Sequence, residues 1–178
     1  MGAMPRRKGE KMTRQQRYPD TKVFHFYNAN PKGRITGDCT VRGLTMATGI
    51  DYNTIVMGQA IVQVETGYDQ TAQQGTAILL ERLGWVKHKQ PRKPNGRKYT
   101  GAEFCKVQQS GKSKDGIVIS DRIFCKIGGN HVVAIVKGKV WDIWDSTGGC
   151  IGNYWTPGEG ATVKELPKEA QSYIEFWM

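Results

Sequence analysis

The chain alternates between two hydrophobic rhythms. Val23-Phe24-His25-Phe26-Tyr27 is aromatic and β-branched, which predicts a short strand. Asn28 to Asp38 follows as a polar loop holding Pro31, Gly33 and Gly37. Beyond it Val41, Leu44 and Ala47 share one helical face, Asp38 is a suitable N-cap, and Gly49 stands where helices end. A second helix is predicted from Tyr52 to Val64, broken near Gly58 or Gly67. A third runs from Thr71 to Leu83, with Gly84 stopping it. Residues 86–99 read as a basic loop, and Thr100 as the cap of a short helix through Val107.

After residue 115 the period becomes two. Ile117-Val118-Ile119 and Arg122 to Ile127 read as strands. His131 to Val136 and Lys139 to Trp144 flank Gly138 as a tight hairpin. Ile151 to Trp155 adds a further strand, and Tyr173 to Trp177 a last strand or helix. Helices first and an antiparallel sheet second define an α+β order. No internal repeat interrupts it, so residues 20–178 are expected to form one domain. Residues 1–19 lack a hydrophobic period and are expected to be a disordered basic tail.

Charge sharpens that division. The chain of 178 residues has a formal net charge of +10. Arg6, Arg7, Lys8, Lys11, Arg14 and Arg17 face only Glu10 in the tail, and Lys87, Lys89, Arg92, Lys93, Arg97 and Lys98 face no acid in the loop. The remainder is therefore close to neutral. Two such clusters predict non-specific contact with polyanions. No aromatic residue lies between Lys87 and Lys98, which argues against a stacking platform for single strands. No apolar run approaches the ~20 residues that span a bilayer, and no secretory signal opens the chain, so no membrane role and a cytoplasmic location are expected. Cys39, Cys105, Cys125 and Cys150 stand far apart, without the close ligand pairs that zinc requires. No metal and no cofactor are expected.

One cysteine differs from the rest. Cys39 directly follows Asp38 at the first position of a predicted helix, where unpaired amides and the helix dipole favour a thiolate. Such an end contributes only ~0.3–1 kcal/mol at an exposed site, so an imidazolium must supply the rest. His131 is the natural partner, since it opens a strand after Gly128-Gly129-Asn130. A hairpin centred on Gly138 brings Asp145 opposite His131, across strands ~4.7–4.9 Å apart. Asp145 is therefore the expected carboxylate for the ring, and Asp142, at an odd offset, is expected on the other face. His25 reads as packing, His88 as part of the basic loop, and Cys105, Cys125 and Cys150 as small buried hydrophobes. Trp141, Trp144 and Trp155 are candidates either for a cleft wall or for the core.

The order Cys39, His131, Asp145 resembles the papain-like cysteine peptidases. The segments Asn30-Pro-Lys-Gly-Arg-Ile-Thr-Gly-Asp-Cys-Thr-Val-Arg-Gly-Leu, Asn130-His-Val-Val-Ala-Ile and Trp141-Asp-Ile-Trp-Asp-Ser are more narrowly similar to a family of small proteins of phages and their bacterial hosts. The resemblance covers roughly residues 24 to 156. It implies a cleft between a helical half and a sheet half, a protein or peptide substrate, and cofactor-free hydrolysis of a peptide or isopeptide bond. For a phage protein it implies the host cytoplasm. Papain-like enzymes usually carry a glutamine shortly before the nucleophile, whereas no glutamine lies between Tyr18 and Cys39. Asn30, or Asn28, is the expected replacement in the oxyanion hole, beside the Cys39 amide. The competing reading is a papain-like binding module without activity, an adaptor or inhibitor that meets an acidic partner or nucleic acid through its basic segments. Hydrolysis and acyl transfer share one triad and are not separated by sequence.

Overall fold

The computed structural model describes residues 11–177, and the first ten residues of the expected tail lie outside them. Twelve elements follow in chain order: α1 (Arg14–Arg17), β1 (Phe24–Phe26), α2 (Cys39–Thr48), α3 (Tyr52–Thr66), α4 (Gln73–Arg82), β2 (Trp85–His88), α5 (Gly101–Ser110), β3 (Arg122–Ile127), β4 (His131–Val136), β5 (Lys139–Asp142), β6 (Ile151–Pro157) and α6 (Lys168–Trp177). All six strands join one sheet in the order β1-β5-β4-β3-β6-β2. The α+β class is thus present, with a sheet that departs from the expectation. β1 runs parallel to β5 while every other pairing is antiparallel, so the sheet is mixed. Both edge strands come from the N-terminal half.

Period-two patterning sends alternate residues to two cores. Phe124, Ala134, Val136, Trp141 and Trp155 pack with Leu44, Met46, Ile55, Leu79 and Leu80 of α2, α3 and α4 on one face. Ile123, Cys125, Val133, Ile135 and Val140 pack with Phe104, Cys105 and Val107 of α5 on the other. The sheet is therefore covered on both sides, although its strands are mostly antiparallel.

Several expectations change for local reasons. Residues 14–17 of the expected disordered tail form a helical turn. Thr13 and Gln16 cap it reciprocally, and Arg14 Nε donates to the Ile143 carbonyl at 2.7 Å. Gly58 does not break α3, which ends instead at Gly67 in the left-handed conformation. The basic loop begins with β2, whose residues pair with β6, and then folds back through an Arg92–Lys98 bridge. Residues 117–119, expected as a strand, join no ladder. Gln108 Nε2 donates to Val118 O, Gln108 Oε1 accepts from Ser120 N, and the Tyr154 hydroxyl accepts from Val118 N. Side chains meet the hydrogen-bonding demand that a neighbouring strand would otherwise meet. Thr100 caps α5 as expected, in a reciprocal box with Glu103. The C-terminal segment is a helix, α6.

Candidate active site

α2 begins at Cys39 because the loop before it is braced by its own polar side chains. Asn30 Nδ2 donates to Asp38 Oδ2 at 2.9 Å and to the Tyr52 hydroxyl at 3.1 Å, and Tyr52 donates to the same carboxylate oxygen at 2.7 Å. The second Asp38 oxygen pairs with Arg42 one turn along the helix. Asp38 occupies the N-cap position, yet its side chain caps no backbone amide. The first amides of α2, that of Cys39 among them, consequently keep the free donor character of a helix start.

Gly43 sets how closely α2 approaches the sheet. A Cβ placed there would lie 3.0 Å from Phe124 Cε2 and 3.4 Å from the Val133 backbone carbon. The helix therefore rests against β3 and β4 where a larger residue would hold it off, and its first turn meets the start of β4. That strand begins at His131 because Gly128 and Gly129 both take positive φ, 54° and 86°, and turn the chain out of β3.

Here the Cys39 thiol stands beside the His131 ring, close enough for each to shift the protonation of the other. His131 Nε2 lies 2.5 Å from Asp142 Oδ2, which leaves Nδ1 as the nitrogen for the sulfur. Asp142 is 4% exposed and well partnered. Its Oδ2 also accepts from the Ser146 hydroxyl at 3.2 Å, its Oδ1 accepts from the Ile143 amide at 2.7 Å, and Arg42 Nη2 stands 3.8 Å from Oδ1. Trp144 packs at a tilt against the imidazole, ring centroids 4.9 Å apart.

The carboxylate beside the ring is thus Asp142, and the expectation of Asp145 is corrected. Asp145 Oδ1 instead accepts from the Thr147 amide and hydroxyl at 3.0 and 2.6 Å and turns the chain after β5. The cause is hairpin register. Lys137 and Gly138 form a two-residue loop with φ of 47° and 70°, and Ala134 pairs with Trp141. Continuing that register sets Val133 opposite Asp142, so Asp142 is a diagonal neighbour of His131 with the same parity. A loop centred on Gly138 alone would shift the pairing by one residue, and one residue exchanges the faces.

Charge follows geometry. Burial opposes ionisation of Cys39. The hydrogen bond and charge of His131, the Val132 amide and the Thr40 hydroxyl outweigh it and hold the thiol below its ordinary value of 9.0. Burial likewise opposes an imidazolium at His131, but Asp142 and then Cys39 push its pKa up to about 9. Both shifts favour a thiolate–imidazolium pair at neutral pH, and the two titrations belong to the pair. The other cysteines lack such an environment. Burial pushes Cys105 up to about 12 and Cys125 well above the ordinary thiol. Cys150 is free and exposed, not buried as expected, because it borders the isolated Thr100 bridge at the sheet margin.

A cleft of about 850 Å³ opens beside Cys39. Its walls are Thr40 and Gly37 at the start of α2, Gln73, Gln74 and Ala77 of α4, and Lys126, Val132, Asn153 and Trp155 of the sheet. Of the three tryptophans considered, Trp155 lines this cleft, Trp144 packs against His131, and Trp141 is core beside His25 and Tyr27. His25 is 8% exposed and bonded to Asp20 at 2.6 Å. Both amide hydrogens of Asn30 are engaged by Asp38 and Tyr52, and the Asn28 amide donates to Arg34 O, so these residues shape the loop. Asn130, next to His131, supplies an amide to the cleft wall instead.

Arg42, Tyr52 and Ser146 were not anticipated from sequence. Only Asp38 and Arg42 carried a signal, an opposite-charge pair four apart on a helix. Among the described residues no three His, Cys, Asp or Glu side chains are grouped as a metal ion would need them. No described helix is long and apolar enough to cross a membrane. Compared with known proteins, the chain matches no family model, no curated protein and no solved structure.

Proposed function

We propose that this chain is a thiol-dependent hydrolase of papain-like arrangement that cleaves a peptide or isopeptide bond, with Cys39 as nucleophile, His131 as acid and base, and Asp142 as the group that orients the ring. The observation carrying this reading is the continuous order thiol, imidazole, buried carboxylate, with the thiol on the wall of a cleft. A thiolate held by an imidazolium attacks a carbonyl carbon. The tetrahedral oxyanion forms beside the Cys39 amide at the head of α2, a donor fixed before the reaction begins. His131 then gives its proton to the leaving amine, the C–N bond breaks, and a thioester remains. Water enters, His131 takes one of its protons, and the hydroxide fragment releases the acid and restores the thiol. Asp142 keeps Nε2 protonated throughout, so that Nδ1 serves the sulfur and the amine.

An acyl-directed electrophilic probe on the intact chain, with mass mapping of the adduct, tests the assignment. The adduct is expected on Cys39 and is expected to be lost in His131→Ala. Labelling spread equally over Cys39 and Cys150, or cellular function unchanged in Cys39→Ala, would favour a binding module without activity.

A further inference from the structure

We infer that the cleft beside Cys39 takes an acidic peptide segment, and that Lys87 and Lys126 read its negative charge. The inference rests on the proposed thiol chemistry and adds the class of substrate. The cleft lining contains Lys87 and Lys126 and not one Asp or Glu. A shallower depression continues from it, sharing Gln73, Lys126 and Asn153, and adds Lys98, again without an acid. The ion pairs of the described residues leave these three lysines without a carboxylate, whereas Lys93, in the same basic stretch, is already paired with Glu103 at 2.6 Å.

Both cleft lysines are held in place by the sheet. Lys87 stands opposite Trp155 in the β2–β6 ladder, and its ammonium sits 5.6 Å from the indole centroid, over the ring. The Lys126 stem lies across Gly152, where an added Cβ would come within 3.0 Å of Lys126 Cβ and 3.3 Å of Cγ. Any side chain at position 152 would displace it. The result is an open track with cations on one wall and the uncharged amides of Gln73, Gln74 and Asn130 around it. Charges of one sign in a concave site select a partner of the other and repel cationic peptides. A nucleic acid satisfies the charge but offers the Cys39 thiolate no amide carbonyl in its backbone to attack. A peptide with glutamate or aspartate side chains offers both.

Iodoacetamide labelling of Cys39 in the full chain, followed by mass mapping, tests this with decaglutamate, decaglutamine, decalysine and a ten-residue oligothymidylate as competitors. Decaglutamate is expected to slow labelling of Cys39, decaglutamine and decalysine to do so far less, and added salt to weaken the protection. Each of Lys87→Gln and Lys126→Gln is expected to raise the half-protecting decaglutamate concentration by about fivefold, the upper range for an exposed ion pair. Unchanged denaturation midpoints would show both variants folded. Rapid labelling that decaglutamate and decaglutamine slow equally, or not at all, overturns the substrate class alone. Protection by the oligonucleotide exceeding that by decaglutamate assigns the cleft to nucleic acid and also overturns it. Cys39 labelling no faster than Cys150 with no competitor present overturns the thiol chemistry, and the substrate class with it.

Discussion

His131 and Asp142 meet at the end of the sheet although they are not directly paired, Nε2 reaching Oδ2 at 2.5 Å as a diagonal contact between adjacent strands. This contact separates two aspartates that lie three residues apart. Asp142→Asn is expected to lower turnover about 10²–10⁴-fold, since an amide in that place cannot favour the ring tautomer that serves the sulfur. Asp145→Asn is expected to keep turnover, and to lose at most about 1 kcal/mol of stability from the Thr147 turn. Steady-state kinetics and denaturant midpoints on the two variants make the comparison.

The pair Cys39–His131 predicts two different pH profiles. Thiol alkylation depends on the thiolate alone, and the Cys39 pKa is depressed, so alkylation of Cys39 is expected to rise at lower pH than alkylation of an ordinary thiol. Turnover also needs the imidazolium, which is lost as pH rises through about 9, so turnover is expected to fall on the alkaline side where alkylation does not. In His131→Ala the thiol loses its main support, and alkylation at pH 6 is expected to drop at least about tenfold, one pKa unit or more. Rate–pH curves for both reactions, with Cys150 as the exposed reference thiol, provide the check.

Gly43 is expected to tune the site through packing. Alanine in a helix gains roughly 0.5–1 kcal/mol over glycine, but overpacking against the buried Phe124 ring costs about 1–3 kcal/mol. Gly43→Ala is therefore expected to be mildly destabilising, and Gly43→Val clearly so. Both are expected to slow Cys39 alkylation at pH 6, because the first turn of α2 moves away from His131. Melting curves recorded beside alkylation rates separate the two effects.

Arg42 ties Asp38, at the head of α2, to Asp142, behind the histidine. It is 6% exposed, so Arg42→Leu would leave two partly buried carboxylates short of a cation. Removing one partner of a buried pair typically costs about 3–5 kcal/mol. A loss of that order is expected in denaturant unfolding, accompanied by weaker turnover. Arg42→Lys is expected to restore only part of both, because a single ammonium does not reproduce the planar fork that reaches two acids.

The helix that carries Cys39 was legible because its signals are local: Asp38 before it, Val41, Leu44 and Ala47 along one face, and Gly49 in left-handed conformation after it. The same holds for β4 and for the Thr100 cap of α5. β2 was missed because Val86 and Lys87 are exposed on an edge strand, where no alternation announces burial. The turn of α1 was missed because it is held by Thr13, Gln16 and a carbonyl at Ile143, far along the chain.

Sequence by itself singled out Cys39 and His131 as a candidate pair, since a cysteine heading a helix and a histidine opening a strand after two glycines are local facts. Tertiary structure decided which carboxylate meets the imidazole. A hairpin loop of two residues, Lys137 and Gly138, sets the register, and a register change of one residue moves every side chain to the opposite face. It also decided that Asn30 braces the loop, and that Gly43 and Arg42 hold the two halves of the site together. Those roles depend on contacts between segments distant in the chain, which no local pattern records.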